Sequence, residues 1–156
     1  MADTELHDYL PALKKLISFG GQGIIYETEV NKPTSLEDIS RITDQELDGD
    51  ILISSFSLIW LKSIRKAFPK VKLGLIIKNA DNGWIKACEE IDAYSIRFSK
   101  ELTSNRLIEE AHRNRLKVFV GPVDSKGGAK LMRSMSVDGI FTTKYDEMLL
   151  FISRLS

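Results

Sequence analysis

Apolar positions along the 156-residue chain fall in short blocks whose period changes from block to block. From Glu5 to Phe19, Leu6, Leu10, Leu13, Leu16 and Ile17 recur at helical spacing, and Gly20-Gly21 ends the run; this predicts an N-terminal helix. Gly23 to Val30, GIIYETEV, has the β-branched and aromatic content of a strand. After the turn Asn31 to Ser35, Ser35 is placed to cap a short helix from Leu36 to about Arg41, and Asp48-Gly49-Asp50 leads into a strand from Ile51 to Phe56. The unit then repeats. Ser57 caps a helix over Leu58 to Phe68, which Pro69 stops, and Lys72 to Lys78 form a strand. A helix over Trp84 to Glu90 leads to a strand over Ala93 to Phe98. Thr103 then caps a helix over Ser104 to Arg115, and a strand follows over Lys117 to Val123. Lys126 to Met135 is helical, Asp138 to Thr142 a sixth strand, and Asp146 to Leu155 a last helix.

Strands alternating with helices predict an α/β domain over residues 1–156, built of parallel βα repeats with right-handed crossovers. Parallel sheets carry their chemistry at the carboxyl ends of the strands. The residues to examine are therefore Glu27 and Glu29, Ser54 to Phe56, Lys78 and Asn79, Arg97 and Ser99, Pro122 and Asp124, and Thr142 to Lys144.

Composition narrows the partners. Lys plus Arg and Asp plus Glu both number 22, so the formal charge is zero. Nucleic acid and anionic membranes reward a cationic excess, and neither is expected. The lone cysteine, Cys88, excludes an internal disulfide and, with only His7 and His112 beside it, a zinc site. No apolar stretch approaches the roughly 20 residues of a membrane span, and no secretory signal is legible, so the expected compartment is the cytoplasm. A complete (β/α)8 barrel needs about 250 residues, more than this chain has.

Several segments, in order, resemble the later part of the glycerophosphodiester phosphodiesterase family, a (β/α)8 barrel group. ISSFSLIWLKSIRKAFPKVKLGLII resembles a family strand ending Ser-Phe, followed by a helix, a Pro and a strand reading Leu-Gly-Leu-Leu. LTSNRLIEEAHRNRLKVFVGPVDS resembles a helix with an Ala-His pair and a strand ending Trp-Thr-Val-Asn, and LMRSMSVDGIFTTKYDEML resembles the Gly-Val-Asp-Gly-Ile ending. GIIYETEV resembles the strand carrying Glu-Ile-Lys. The resemblance implies a truncated TIM-barrel-like fold of about six strands behind an N-terminal helix, and a place in lipid metabolism. It also implies losses. The family's His-Arg-Gly, Glu-x-Asp and His-Asp motifs have no counterpart, and Gly121-Pro122-Val123-Asp124 and Thr143 replace family residues. No catalytic residue is assigned.

Glu27 and Glu29 share one strand face. They read either as a site for Mg²⁺ or Ca²⁺, which favour carboxylate oxygens, or as charges protecting a sheet edge. The resemblance aligns one of them with the family's metal-binding Glu. Lys126-Gly127-Gly128 reads as a phosphate-binding helix start or a tight turn. Ser55, Lys78, Arg97, Gly127 and Gly128 are the candidates for binding a phosphate-containing small molecule. His7 and His112 read as surface residues, Cys88 as packing, and the run Lys62, Arg65, Lys66, Lys70, Lys72 as a solvated face. Six strands of an eight-stranded barrel would leave two open edges, which predicts a homo-oligomer or a protein partner covering them. The expected function is a catalytically degenerate domain that binds a ligand or a protein, a pseudoenzyme. The alternative is a metal-dependent hydrolase completed by another chain.

Overall fold

A computed structural model describes residues 13–20, 23–30, 35–81 and 83–155. Seven strands are present among them: β1 (Lys14–Ser18), β2 (Ile25–Glu29), β3 (Asp50–Ser55), β4 (Lys72–Ile76), β5 (Ser95–Phe98), β6 (Lys117–Val120) and β7 (Gly139–Ile140). Six helices accompany them: α1 (Leu36–Thr43), α2 (Leu58–Ala67), α3 (Trp84–Glu90), α4 (Asn105–Arg113), α5 (Lys126–Ser134) and α6 (Tyr145–Ser153). Ser35 and Ser57 cap α1 and α2 as expected, accepting from the amides of Asp38 and Trp60. At α4 the cap is Ser104, which accepts from Leu107 N. Thr103, the expected cap, instead donates to Ser99 O.

The parallel α/β architecture expected from the repeats and the TIM-barrel-like fold implied by the resemblance are present, with two corrections. β2 to β7 run parallel in sequence order, and β1 pairs antiparallel with both β2 and β7, closing a seven-stranded barrel. Residues 14–18 are therefore a strand, whereas the spacing predicted a helix; residues 5–12 of that expected helix lie outside the described residues. The open edges expected of a six-stranded sheet are paired by β1. Leu16 sits opposite Ile25, and Ile17 opposite Ile140.

Two apolar layers follow from strand alternation. Inside the barrel, Leu16, Ile25, Leu52, Phe119 and Phe141 pack together with Tyr94 against them. Outside it, Ile17, Ile53, Leu73, Ile96, Val118 and Ile140 meet the inward stripes of the helices, including Ile39, Leu61, Cys88, Ile108 and Met132. The wall strands β3, β4 and β6 are buried on both faces along most of their length, so their sequences read as largely apolar runs. No described helix is long and apolar enough to cross a membrane.

Candidate functional site

The barrel is apolar at its amino end and turns polar toward the carboxyl end of the parallel strands. On β2 the inward residues run Ile25, Glu27, Glu29, and on β5 they run Ser95, Arg97. Gly74 stands between Ser54 and Ser95 in the register of β3, β4 and β5. A Cβ there would lie 2.7 Å from Ser95 Oγ and 2.8 Å from Ser54 Oγ, so only glycine lets these strands approach.

Glu27 is only 3% exposed. Its Oε1 accepts from Arg97 Nη1 at 2.6 Å and its Oε2 from Ser54 Oγ at 2.8 Å. Arg97 Nη2 donates to Glu29 Oε1, so one guanidinium joins both carboxylates. The same guanidinium lies 5.0 Å from the centre of the Phe141 ring. Burial raises the Glu27 carboxyl above its ordinary pKa, and the Arg97 charge and the Ser54 hydrogen bond oppose that rise.

These groups line a pocket of about 530 Å³ together with Lys14, Lys15, Pro122 and Thr142. Lys14 stands opposite Glu27 across the antiparallel pairing. Lys15 Nζ lies 5.9 Å from the Tyr26 ring and 5.6 Å from the Tyr145 ring. Behind the rim, Asp124 accepts from Thr142 Oγ1 and Thr143 N, both at 2.7 Å, and from Thr143 Oγ1 at 2.8 Å. Those bonds, the one from Thr142 foremost, hold its carboxyl below the usual range. Asp124 and Thr143, two of the departures from the family pattern, are thus bonded to each other.

Of the residues singled out in the sequence, Glu27, Glu29 and Arg97 come together here. Ser55 lies on the opposite face of β3, fully buried, and accepts from Ser57 N at 3.0 Å. Lys78 packs over Phe56, 4.6 Å from its ring centre, beside a different hollow. Gly127 and Gly128 open α5 away from this pocket, and the Gly128 amide is taken by the Ser125 cap. Lys14, Lys15 and Phe141 were not anticipated; Lys14-Lys15 beside an apolar pair is the one signal that pointed to them. His112 is far from the pocket, with Nε2 2.7 Å from Asp138 Oδ2 on the outer layer.

A hard divalent cation needs several oxygen donors converging on one point. At this mouth the Arg97 guanidinium occupies the space between the two carboxylates, and an ion there would have to displace it. Among the described residues no group of three His, Cys, Asp or Glu side chains converges.

A family model and a curated relative bear on the family, and solved structures on the fold. Residues 6–147 match the model of the glycerophosphoryl diester phosphodiesterase family. A glycerophosphodiester phosphodiesterase from Caldanaerobacter subterraneus subsp. tengcongensis is 30% identical over 105 residues, covering 67% of this chain and 43% of that protein. A phosphodiesterase from Oleispira antarctica, solved in complex with the product sn-glycerol-3-phosphate, superposes with a TM-score of 0.69 at 16% identity, over 76% of this chain and 49% of that one. A glycerophosphodiester phosphodiesterase from Parabacteroides distasonis superposes with a TM-score of 0.62 at 16% identity, over 85% and 58% respectively. The chain thus spans less than half the length of the curated relative and about half of these structures.

Proposed function

Because the chain belongs to the glycerophosphoryl diester phosphodiesterase family, we propose that its carboxyl-end pocket binds a phosphate-bearing small molecule of the glycerophosphodiester class without hydrolysing it unaided. The observation that carries this reading is the Glu27–Arg97–Glu29 triad. Cleaving a phosphodiester takes a nucleophile, a proton donor for the leaving alkoxide and cations over the phosphoryl oxygens. Arg97 places a guanidinium where the sequence suggested Mg²⁺ or Ca²⁺, its charge shared by Glu27 and Glu29, and the lining adds Lys14 and, over the Tyr26 and Tyr145 rings, Lys15. A guanidinium whose two Nη groups already donate to carboxylates generates no nucleophile, and the lysines are the cations left to meet a phosphate. His112, the described histidine, is engaged with Asp138 on the outer layer. Phe141 and Pro122 offer an apolar wall for a glycerol moiety.

The barrel edges that called for a partner are joined by β1, so an oligomer is not needed to bury them. A protein-interaction role would use the outer surface. Cytoplasmic residence belongs to the same proposal and rests on the single cysteine, Cys88, a buried free thiol in a chain that builds no disulfide of its own.

The test is calorimetric titration with sn-glycerol-3-phosphate and with a glycerophosphodiester, with EDTA and with added Mg²⁺ or Ca²⁺. Binding that survives EDTA, weakens in Lys14→Gln and Lys15→Gln, and shows no turnover is the expected result. Metal-dependent turnover abolished by Glu27→Gln or Glu29→Gln would overturn the proposal and establish a hydrolase. If such turnover needed a second chain to be added, the hydrolase completed in trans would be the correct reading.

A further inference from the structure

The amino end of the barrel, opposite the pocket just described, has a charge pattern that the proposed function does not use. Arg65, Lys70, Lys72, Arg115 and Lys117 converge from separate segments around a hollow of about 300 Å³, with Tyr94 in its wall and Asp92 as the one acid among its lining residues. Lys62 and Lys66, the other members of the basic run in the sequence, are not part of it. In a chain of zero net charge this is a marked local excess.

Two of the cations, Arg65 and Lys72, are held in place. Arg65 donates to four backbone carbonyls, those of Ile91 at 2.7 Å, Pro69 at 2.9 Å, Asp92 at 3.1 Å and Phe68 at 3.3 Å. Its charge is therefore fixed in position, with the Asp92 carboxylate as the acid that acts on it. Lys72 lies 4.7 Å from the centre of the Tyr94 ring and 3.8 Å from Asp50. Among the described residues, Lys70, Arg115 and Lys117 form no ion pair. Arg115 holds a backbone φ of 62°, a left-handed position where glycine is the ordinary residue. Like charges crowded into a concavity repel, and a multiply charged anion removes that cost.

We infer that this amino-end hollow is a second anion site, taking a small molecule that ends in a phosphate or diphosphate group. Its concave shape, with cations from three separate stretches of chain, suits a compact terminal group. A long polyanion would call for a stripe of cations along an open face. Lys70, Val71 and Lys72 also border an adjoining hollow of about 390 Å³ lined by Thr43, Gln45 and Asp50, where the uncharged remainder of such a ligand would lie. The inference does not depend on the reading of the carboxyl-end pocket.

The test is titration of the full chain with inorganic diphosphate and with inorganic phosphate, followed by calorimetry and by amide chemical shifts. Saturable binding at one site is expected, with shifts at residues 70–72 and 115–117 and weakening as salt rises. Lys70→Gln and Arg115→Gly should each lower affinity about tenfold. Lys14→Gln, at the other end of the barrel, should leave these shifts in place. Arg115→Gly also relieves the left-handed backbone, so a loss of binding in that variant is not a loss of folding. Non-saturable binding, affinity unchanged in both variants, or shifts confined to the carboxyl-end pocket would overturn the inference. Duplex DNA displacing diphosphate from the same residues with higher affinity would overturn it in favour of a polyanion surface.

Discussion

Glu27 shows how one residue couples the fold to the pocket. Its carboxylate is buried, and two partners, Arg97 and Ser54, make the burial tolerable. Removing one partner of such a pair leaves a buried charge uncompensated, which typically costs about 3 kcal/mol or more. Arg97→Leu is therefore expected to lose about that much stability at neutral pH, as measured by urea denaturation. The loss should shrink in mild acid. The folded-state pKa of Glu27 already lies above its ordinary value and rises further without Arg97, so the folded state binds more protons than the unfolded state in the window above the ordinary carboxylate range. Stability in the variant then falls as pH rises through that window and recovers as Glu27 protonates. A variant equally unstable at about pH 5 and about pH 7, both above the ordinary carboxylate range, would show that the charge is not the cause. The two glutamates were legible in the sequence as strand-end carboxylates, and so was Arg97 as a strand-end cation. Their pairing was not. It joins β2 to β5 across two intervening strands, and only the register of β2 to β5 brings residues so far apart in the chain into contact.

At the scale of elements, three helices end in the same way. After α3, α4 and α5, the residues Asp92, Arg115 and Ser136 take positive φ values of 47°, 62° and 68°. The next amides, of Ala93, Leu116 and Val137, reach back to the carbonyls of Cys88, Ala111 and Met132. This double-bonded stop satisfies orphan carbonyls and turns each chain apolar-first into the following region. None of the three carries the glycine that usually accepts such a backbone. The left-handed conformation costs an L-residue about 1–2 kcal/mol, and glycine gives back part of that through unfolded-state entropy. Ser136→Gly, at an exposed position, should therefore stabilise the chain by up to about 1 kcal/mol, seen as a higher melting temperature. A lower one would mean that the Ser136 side chain does more than occupy a turn. The same scale explains what the hydrophobic pattern did and did not disclose. β2 to β7 and the six helices were readable because apolar runs of strand length alternate with helical stripes. β1 was not, since Leu13, Leu16 and Ile17 satisfy helical spacing. A wall strand buried on both faces presents Leu16 and Ile17 as an adjacent apolar pair, without the alternation that would have marked it as a strand.

For the molecule as a whole, β1 decides whether there is a barrel at all. Without it β2 and β7 would be edges, with unpaired backbone groups and an exposed inner layer. Ile17 faces the helix layer and pairs with Ile140, so Ile17→Pro removes a ladder donor and a core side chain together. Sedimentation velocity of this variant should show association beyond that of the unaltered chain, through the reopened edges. Unchanged sedimentation would mean that closure does not protect them. The direction of β1 has a further consequence. It begins at the carboxyl-end mouth, beside Glu27, and runs to the floor beside Gly139. α6 descends to the same floor, where Arg133 Nη1 donates to Leu155 O. A pull applied between these two ends of the described chain acts lengthwise along β1, while its hydrogen bonds to both neighbours lie across that direction. The bonds are loaded together, in shear, and cannot be unzipped one at a time. The strand that closes the ring is therefore also the element that would give it mechanical strength.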